Sequence, residues 1–233
     1  MMNTSMTQIP PYVTRWFEEL RPLVINEAIP DPARAGVFSV DMIAGFLATG
    51  NLASARVGRL AQPVAEIFQR AYHYGIRHFV LFQDAHHPQA LEFDAFPLHC
   101  VQGSGESTTV PELQSLPFSN SFTVIEKNSL HPSLGTGFDK WLDEHRHVNT
   151  ALVVGNCTDL CVYQLAMHLR LRANALNYRE YQVIVPANAV DTYDLAQDVT
   201  QQAGSYAHPG DFFHQVFLYH MALNGIRVIR KLT

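Results

Sequence analysis

Cysteine is scarce in this chain, and its scarcity bears on where the protein works. Only Cys100, Cys157 and Cys161 occur among the 233 residues. They are too few and too unevenly spaced for the disulfide framework that stabilises many small secreted domains. We therefore expect a reducing compartment and assign the protein to the cytoplasm.

Charge is also limited, and long apolar runs are lacking. Charged residues make up 16% of the chain, the formal net charge is -5, and no run rich in Lys or Arg occurs. This acidic balance gives no electrostatic reason to expect nucleic acid or an anionic membrane surface as a partner. No apolar run reaches the roughly 18 residues that a membrane span needs, and the segment from Met1 to Tyr12 has no export pattern. Small metabolites are the partners that remain.

Length and hydrophobic content favour one large domain over two small ones. The chain has 233 residues, of which 47% are hydrophobic, so it can bury a full core. We assign a single domain to residues 1–233, with residues 1–35 as an N-terminal extension that packs on it.

Short apolar runs alternate with longer helical patterns, which is typical of βαβ units. The predicted strands are Gly36 to Val40, Arg77 to Phe82, Phe122 to Ile125, Val148 to Val154, Tyr181 to Val185 and Ile226 to Ile229. The predicted helices are Ala55 to Tyr74, Gly137 to Arg146, Asp159 to Asn174 and Gly210 to Asn224. This order predicts a three-layer α/β/α fold, Rossmann-like, with a six-stranded and mainly parallel sheet. The long loop from Gln83 to Asn120 is expected to be functional.

Chemically capable side chains follow each of the first four predicted strands. These strands end in Asp41, in Asp84, in Glu126-Lys127 and in the segment 156–161. A single strand-end Asp also fits a turn or a helix cap. In parallel sheets, however, ligands bind beyond the carboxyl ends of the strands, so the repeated pattern predicts a binding site at this edge.

Cys161 stands near the start of a predicted helix, just after a buried strand. Unpaired N–H groups and the positive end of the helix dipole favour a thiolate there. A lone cysteine at such a junction is more often a small buried residue, and a lysine is more often a surface cation. Asp41 and Lys127, predicted at neighbouring strand ends, favour a reactive cysteine over a structural one. A carboxylate can take the thiol proton and return it to a leaving amine, and a lysine can stabilise both anions.

A second group of polar side chains lies in the long loop. Carboxylates and imidazoles bind borderline divalent metals, and an Asp-x-His pair leaving a strand can present two side chains to one ion. Because the chain holds 12 histidines, a single one is weak support. Cys100 is interpreted as a buried small residue. The candidate ligands are Asp84, His86, Glu92 and His99.

Several of these motifs, in this order, carry a family resemblance. The sequence resembles the isochorismatase-like cysteine hydrolases, and within them the nicotinamidases, over roughly residues 36 to 230. The resemblance is strongest to the plant-type members, through residues 50–53, 84–88, 153–155 and 207–209. The motifs that carry it are Val40-Asp41, Asp84-Ala85-His86, His99-Cys100-Val101, Lys127 and Thr158-Asp159-Leu160-Cys161-Val162.

The resemblance implies a catalytic triad. Cys161 would be the nucleophile, Asp41 the proton acceptor and donor, and Lys127 the third member. It also implies a cis peptide bond between Asn156 and Cys157, and an oxyanion hole formed by the backbone N–H groups of Cys157 and Cys161. The implied reaction is hydrolysis of nicotinamide to nicotinate and ammonia through a thioester.

The resemblance also implies a metal bound by Asp84, His86 and His99, with a fourth ligand that differs among members. Glu92 is preferred for that place because it reaches further. Asp94, which lies closer to His99 in the sequence, is the rival. Zinc is the expected metal, with iron and manganese as alternatives, and it would bind the pyridine nitrogen of the substrate. The residues expected to contact substrate are Phe46, Leu52, Phe96 and Asn156, although for the three apolar ones an ordinary core position fits equally well.

Two departures from the family pattern bear on the substrate. Ile43 and Gly45 stand where many members carry a Gln and an acidic residue, which makes the mouth of the pocket more apolar. Three alternatives stay open: another amidase of the superfamily acting on a carbamoyl, ureido or substituted pyridine amide, an isochorismatase proper, and a catalytically silent binding protein on this fold. We also expect a homo-oligomer.

Overall fold

A parallel β-sheet organises the molecule, whose computed structural model describes residues 9–198 and 206–233. In the described part of the chain the sheet has seven strands, with the order β3-β2-β1-β4-β5-β7, and β6 pairs with β4. All pairings are parallel. The strands are β1 Ala35–Val40, β2 His78–Asp84, β3 Thr123–Lys127, β4 Thr150–Asn156, β5 Gln182–Pro186, β6 Val190–Asp191 and β7 Arg227–Ile229.

Helices cover both faces of this sheet, so the predicted three-layer α/β/α fold is confirmed. The first hydrophobic cluster holds apolar residues of α2 to α6, and the second holds those of α7 to α9. The helices are α1 Pro11–Glu18, α2 Ile25–Ala28, α3 Ala44–Leu47, α4 Ala55–Gly58, α5 Ala61–Tyr74, α6 Pro111–Gln114, α7 Phe138–Glu144, α8 Cys161–Ala175 and α9 Gly210–Leu223. No helix of the described residues is long and apolar enough to cross a membrane.

The structure corrects the predicted elements in two places. The sheet has seven strands rather than six, because Val190–Asp191 pairs with the end of β4 over two residues, too few for a visible pattern. The helix predicted over residues 55–74 is two helices, α4 and α5. Pro63 in the first turn of α5 has no N–H to continue a hydrogen-bonded ladder from α4.

Alternation along the two central strands builds the two cores. β1 and β4 are buried throughout. Val37 and Leu152 face the α5 side, whereas Phe38 and Val153 face the α8 side, as the two-residue period of a strand requires. Burial on both faces explains why these runs are almost continuously apolar in sequence.

The N-terminal segment lies on the α9 side of the fold. The Trp16 ring of α1 meets the Tyr219 ring of α9 edge to face, with centroids 5.2 Å apart. Arg230, just beyond β7, donates hydrogen bonds to the carbonyl oxygens of Phe17 and Glu18. The assignment of residues 1–233 to one domain includes residues 1–8 and 199–205, which lie outside the described residues, and it stays a prediction.

One glycine in β4 is required by the close approach of β1. Gly155 has φ +114°, and a Cβ atom added there would collide with the backbone of Val40, its partner in the register. We expect Gly155→Ala to lower the free energy of unfolding by about 3 kcal/mol or more, because strain and collision add. Urea denaturation would measure it.

Gly135→Ala is the matched control for this substitution. Gly135 also has a positive φ, +72°, but no atom lies within 4 Å of the added Cβ. Its cost should therefore be confined to the dihedral angle, about 1 to 2 kcal/mol. Equal destabilisation by the two substitutions would contradict the collision.

Candidate active site

The sheet order places the predicted triad residues at one edge. The neighbours β3, β2, β1 and β4 end at Lys127, Asp84, Val40 and Asn156. Asp41 follows β1 directly, and the N–H of Asp84 donates to its Oδ1 at 2.9 Å. Because these strands run parallel, their carboxyl ends deliver these groups to one place.

Lys127 lies at the centre of this group. Its Nζ is 2.9 Å from Asp41 Oδ2, 2.5 Å from Asp84 Oδ1 and 3.5 Å from Cys161 Sγ. The structure thus brings Asp41, Lys127 and Cys161 together, all with at most 4% of their surface exposed. Water is largely excluded, so the charges of these groups interact more strongly than they would in bulk solvent.

The protonation states of Asp41 and Lys127 depend on burial and on the charges that surround the Lys127 ammonium. Burial lowers the pKa of Lys127, but the carboxylates of Asp41 and Asp84 outweigh it and hold that pKa well above its usual range. Burial, reinforced by the charge of Asp84, raises the pKa of Asp41 to about 7 despite the opposing effect of Lys127. Asp41 is thereby suited to both accept and donate a proton near neutral pH.

Cys161 is a thiol rather than the thiolate that its helix position suggested. Burial raises the pKa of Cys161 well above its usual value, Lys127 opposes this, and the charges of Asp41 and Asp84 reinforce it. The dipole of α8 is therefore outweighed by desolvation. A carboxylate oxygen of Asp41 lies within 4.8 Å of the Cys161 sulfur, so Asp41 is a nearby acceptor for the thiol proton.

The turn before α8 presents backbone donors to the thiol. The peptide bond between Asn156 and Cys157 is cis, as the resemblance implied. In the part of the chain that the structure describes, the N–H groups of Thr158, Leu160 and Val162 donate to backbone carbonyls, whereas those of Cys157, Asp159 and Cys161 donate to none. Free donors beside a reactive thiol, such as those of Cys157 and Cys161, can hold a developing oxyanion.

Four side chains beside the triad can hold a metal. One ligand atom from each of Asp84, His86, Glu92 and His99 lies within 4.8 Å of the other three. His86 Nε2 is 3.4 Å from Asp84 Oδ2 and 3.7 Å from Glu92 Oε1, and His99 Nε2 is 3.9 Å from Asp84 Oδ2. Such separations suit atoms that share one ion at about 2 Å each.

Unsatisfied atoms at this cluster support the same fit. Asp84 Oδ2, Glu92 Oε1 and both ring nitrogens of His86 are buried without a hydrogen-bond partner. Each such atom costs about 1 to 3 kcal/mol unless something binds it. His99 Nδ1 meets the carbonyl oxygen of Pro97 at 2.7 Å, which leaves Nε2 facing the cluster. A carbonyl on the second nitrogen is the usual way to orient a metal-binding histidine. The cluster fits a divalent cation.

The structure places Glu92, and not Asp94, beside the other candidate ligands. A short 3-10 helix over Leu91–Asp94 sends Glu92 inward, where its second oxygen accepts from the N–H of Leu130 at 3.1 Å. Asp94 is exposed to solvent. Reach and helical geometry, rather than proximity to His99 in the sequence, decide between them.

The predicted substrate contacts occupy different surroundings. The rings of Phe46 and Phe96 lie 5.7 and 6.3 Å from that of His99. Leu52 is half-buried against the core on the α5 side. The side-chain amide of Asn156 donates to the carbonyl oxygen of Asp41 at 2.6 Å, so it also holds Asp41 in its left-handed conformation, φ +50°. Contact of these four residues with substrate stays a prediction.

Sequence reasoning missed several residues around the site. Phe93 packs against the rings of both His86 and His99, with centroids 5.4 and 5.6 Å away. Glu106 accepts from the N–H of Cys100 at 2.8 Å and so fixes the backbone next to His99. Neither has a sequence signal beyond its place in the long loop.

Asp84 belongs to both clusters, which the sequence did not reveal. Its Oδ1 pairs with Lys127, whereas its free Oδ2 faces His86 and His99. Burial raises the pKa of Asp84, but Lys127 outweighs it and the pKa lies below its usual value. The carboxylate is thereby ionised, as a metal ligand must be.

The sequence is similar to that of a known protein family and of a plant enzyme. Residues 35–210 match the isochorismatase domain family. Nicotinamidase 1 of Arabidopsis thaliana is 29% identical over 236 residues, which span 93% of this chain and 92% of that protein.

Solved structures share the fold. The pyrazinamidase/nicotinamidase of Streptococcus mutans superposes with a TM-score of 0.65 at 23% identity, covering 84% of this chain and 99% of that one. The pyrazinamidase of Pyrococcus horikoshii in complex with zinc gives 0.63 at 20% identity, with the same coverage of 84% and 99%. With three quarters of its length matched by the family, the chain belongs to the isochorismatase family.

Proposed function

We propose that this protein is a nicotinamidase, an amidohydrolase that converts nicotinamide to nicotinate and ammonia. The main support for this proposal is that one carboxylate, that of Asp84, belongs to two neighbouring groups. It contacts Lys127 in the group of Asp41, Lys127 and Cys161, and it is also one of the four candidate metal ligands. A pyridine carboxamide has a ring nitrogen that suits the metal ligands and an amide carbon that suits the thiol. The similarity to the plant nicotinamidase supports the same substrate.

In the proposed acylation, Cys161 Sγ attacks the amide carbon while its proton passes to Asp41. The N–H groups of Cys157 and Cys161 hold the tetrahedral oxyanion. Asp41 then gives the proton to the amine, the C–N bond breaks, and ammonia leaves a thioester on Cys161. Lys127 stays charged throughout and balances Asp84, together with Asp41 whenever Asp41 is ionised.

Deacylation uses the same groups in reverse roles. Asp41 takes a proton from water, whose oxygen attacks the thioester carbon. The C–S bond breaks and the sulfur recovers the proton from Asp41. The second proton of the water stays on the new carboxyl group, which loses it to solvent or to the ammonia as nicotinate is released. One water is consumed for each amide, so no further reactant is needed.

A divalent metal on Asp84, His86, Glu92 and His99 would bind the pyridine nitrogen and so orient the carboxamide toward Cys161. We propose zinc, since two imidazoles and two carboxylates suit a borderline ion, with iron or manganese as alternatives. The zinc complex of the Pyrococcus pyrazinamidase supports zinc. We also propose a cytoplasmic location, in keeping with three free cysteines, and a homo-oligomeric enzyme.

The proposal is tested by ammonia release from nicotinamide before and after removal of metal. We expect the metal-replete protein to release ammonia and the metal-free protein to be at least about tenfold slower, since the substrate then loses its orienting contact. Zinc added back should restore the rate.

Nicotinate, which has no amide nitrogen to lose, is the matched control compound. Chelator saturated with zinc beforehand controls for inhibition by the chelator itself. Metal-replete protein that leaves nicotinamide intact would refute the proposed substrate, and full activity after metal analysis has shown removal would refute the metal's role.

A further inference from the structure

A buried, hydrogen-bonded His–Asp pair lies immediately behind the turn that carries the proposed nucleophile. His208 Nε2 is 2.8 Å from Asp159 Oδ2, and both residues are 7% exposed. Asp159 stands between Cys157 and Cys161, so its side chain is attached to the turn that presents the free N–H groups of these two cysteines. It does not cap α8, which has no side-chain cap at its N-terminus.

Three contacts fix the imidazole of His208. It is stacked between the rings of Tyr193 and Phe213, with centroids 3.8 and 4.4 Å away and planes within 18° of parallel. Its Nδ1 meets the carbonyl oxygen of Tyr193 at 2.9 Å. Its backbone forms two hydrogen bonds with Leu195, at 2.8 and 2.9 Å. The imidazole is therefore fixed in the orientation in which its Nε2 contacts Asp159.

The turn itself has few other restraints. Among the described residues, one backbone hydrogen bond, from the N–H of Thr158 to the carbonyl oxygen of Asp191 at 3.0 Å, ties it to the sheet. The Thr158 hydroxyl meets His214 Nδ1 at 2.9 Å. Asp159 Oδ1 has no partner among the described residues, so the bond to His208 is the one specific contact of this carboxylate that the structure gives.

We propose that His208 is a positioning residue: through Asp159 it holds the Cys157–Cys161 turn so that the free N–H groups of these two cysteines face the reacting carbonyl. The proposal rests on the proposed amide hydrolysis and adds to it a residue that does not touch substrate. Oxyanion binding depends on donor placement to a fraction of an ångström, because the bond is made mainly in the transition state.

This role predicts a loss in kcat rather than in KM. His208→Ala and Asp159→Ala should each lower kcat about 10- to 100-fold, the usual cost of a misplacement near 1 Å, and leave KM within about threefold. The double variant should be no slower than the worse single one, since both remove the same contact.

Asp159→Asn is the conservative rescue. The Nδ1–H of a neutral His208 can still donate to Tyr193, and its Nε2 can accept from the asparagine amide. This variant should keep kcat within about threefold of the unsubstituted protein. A role for the negative charge alone would make it as slow as Asp159→Ala, which would refute positioning by the hydrogen bond.

Asp194→Ala is the matched control. Asp194 lies in the same segment and accepts from the N–H of Gly210 at 2.7 Å, and among the described residues it forms no hydrogen bond or ion pair with the turn. It should leave kcat unchanged. Equal losses in Asp194→Ala and His208→Ala would mean that any loosening of the segment slows the enzyme, and would overturn the proposal.

Hydrogen–deuterium exchange of the peptide over residues 157–162 supplies a readout that needs no substrate. Exchange should be at least about tenfold faster in His208→Ala than in the unsubstituted protein or in Asp194→Ala. Lack of ammonia release by the unsubstituted protein would refute the proposed function and leave the positioning role to be decided by exchange. Unchanged exchange in His208→Ala would overturn that role whatever the activity.

Discussion

Replacing Cys161 by alanine is expected to lower ammonia release from nicotinamide by about 10⁴-fold or more, since no other group can form the acyl intermediate. The thiol lies at the point where Asp41 and Lys127 converge, 3.5 Å from Lys127 Nζ. Removing one buried sulfur should cost only about 1 kcal/mol of stability. The variant should therefore fold, bind metal and fail to turn over. Steady-state kinetics with urea denaturation would measure both effects.

Cys157→Ala is the matched control, because this cysteine is assigned only its backbone N–H. Burial raises the pKa of its thiol to about 12, so the sulfur stays protonated. Its activity should stay within about threefold of the unsubstituted protein, as for other small changes beside rather than in the reacting set. Acylated protein should appear by mass spectrometry after an acid quench for this control and not for Cys161→Ala. Normal turnover by Cys161→Ala would show that another group is the nucleophile.

The long strands could be predicted from sequence because burial on both faces leaves a continuous apolar run. The predicted strands fall within a few residues of β1 to β5 and β7. The short helices could not be predicted in this way. α2, α3, α4 and α6 have four residues each, about one turn, which is too short for a helical period to repeat. Tertiary contacts, not local preference, form them.

The types of residue in the candidate triad could be predicted from the sequence, but their arrangement in space could not. Strand ends marked Asp41, Lys127 and Cys161, yet their contact depends on the order β3-β2-β1-β4, which no local pattern encodes. The double role of Asp84 depends on the same order, since it needs Lys127 on one side and the imidazoles on the other.

The protonation state of Cys161 and the contacts between residues far apart in the chain were the hardest features to predict from the sequence. A helix N-terminus suggested a thiolate at Cys161, but burial of the sulfur raises its pKa well above the usual value. Desolvation in a closed site exceeds the effect of a few backbone N–H groups. Asp159 and His208 are 49 residues apart in sequence. Their pairing follows from the fold, and neither residue carries a local signal of it.

Lys127→Met is expected to lower the free energy of unfolding by about 3 to 5 kcal/mol, because it leaves two buried carboxylates without their shared cation. Asp41 and Asp84 are each 1% exposed, so solvent cannot replace the ammonium. Methionine keeps the length and the apolar stem of the side chain. Ammonia release should fall at least about 100-fold, since Asp41 would then hold a proton and could not accept that of the thiol.

A second substitution separates the two effects. In Lys127→Met/Asp41→Asn a neutral amide replaces the carboxyl group that would otherwise have to take up a proton or stay charged without a cation, so part of the lost stability should return, whereas activity should stay absent because Asn cannot relay a proton. Lys140→Met is the surface control: Lys140 is 80% exposed and 3.7 Å from Glu144, and such pairs contribute little. Urea denaturation should place it within about 0.5 kcal/mol of the unsubstituted protein. Since both lysines lose one positive charge, equal stability of Lys127→Met and Lys140→Met would mean that the buried carboxylates do not depend on Lys127, and the charge balance assigned to the site would be wrong.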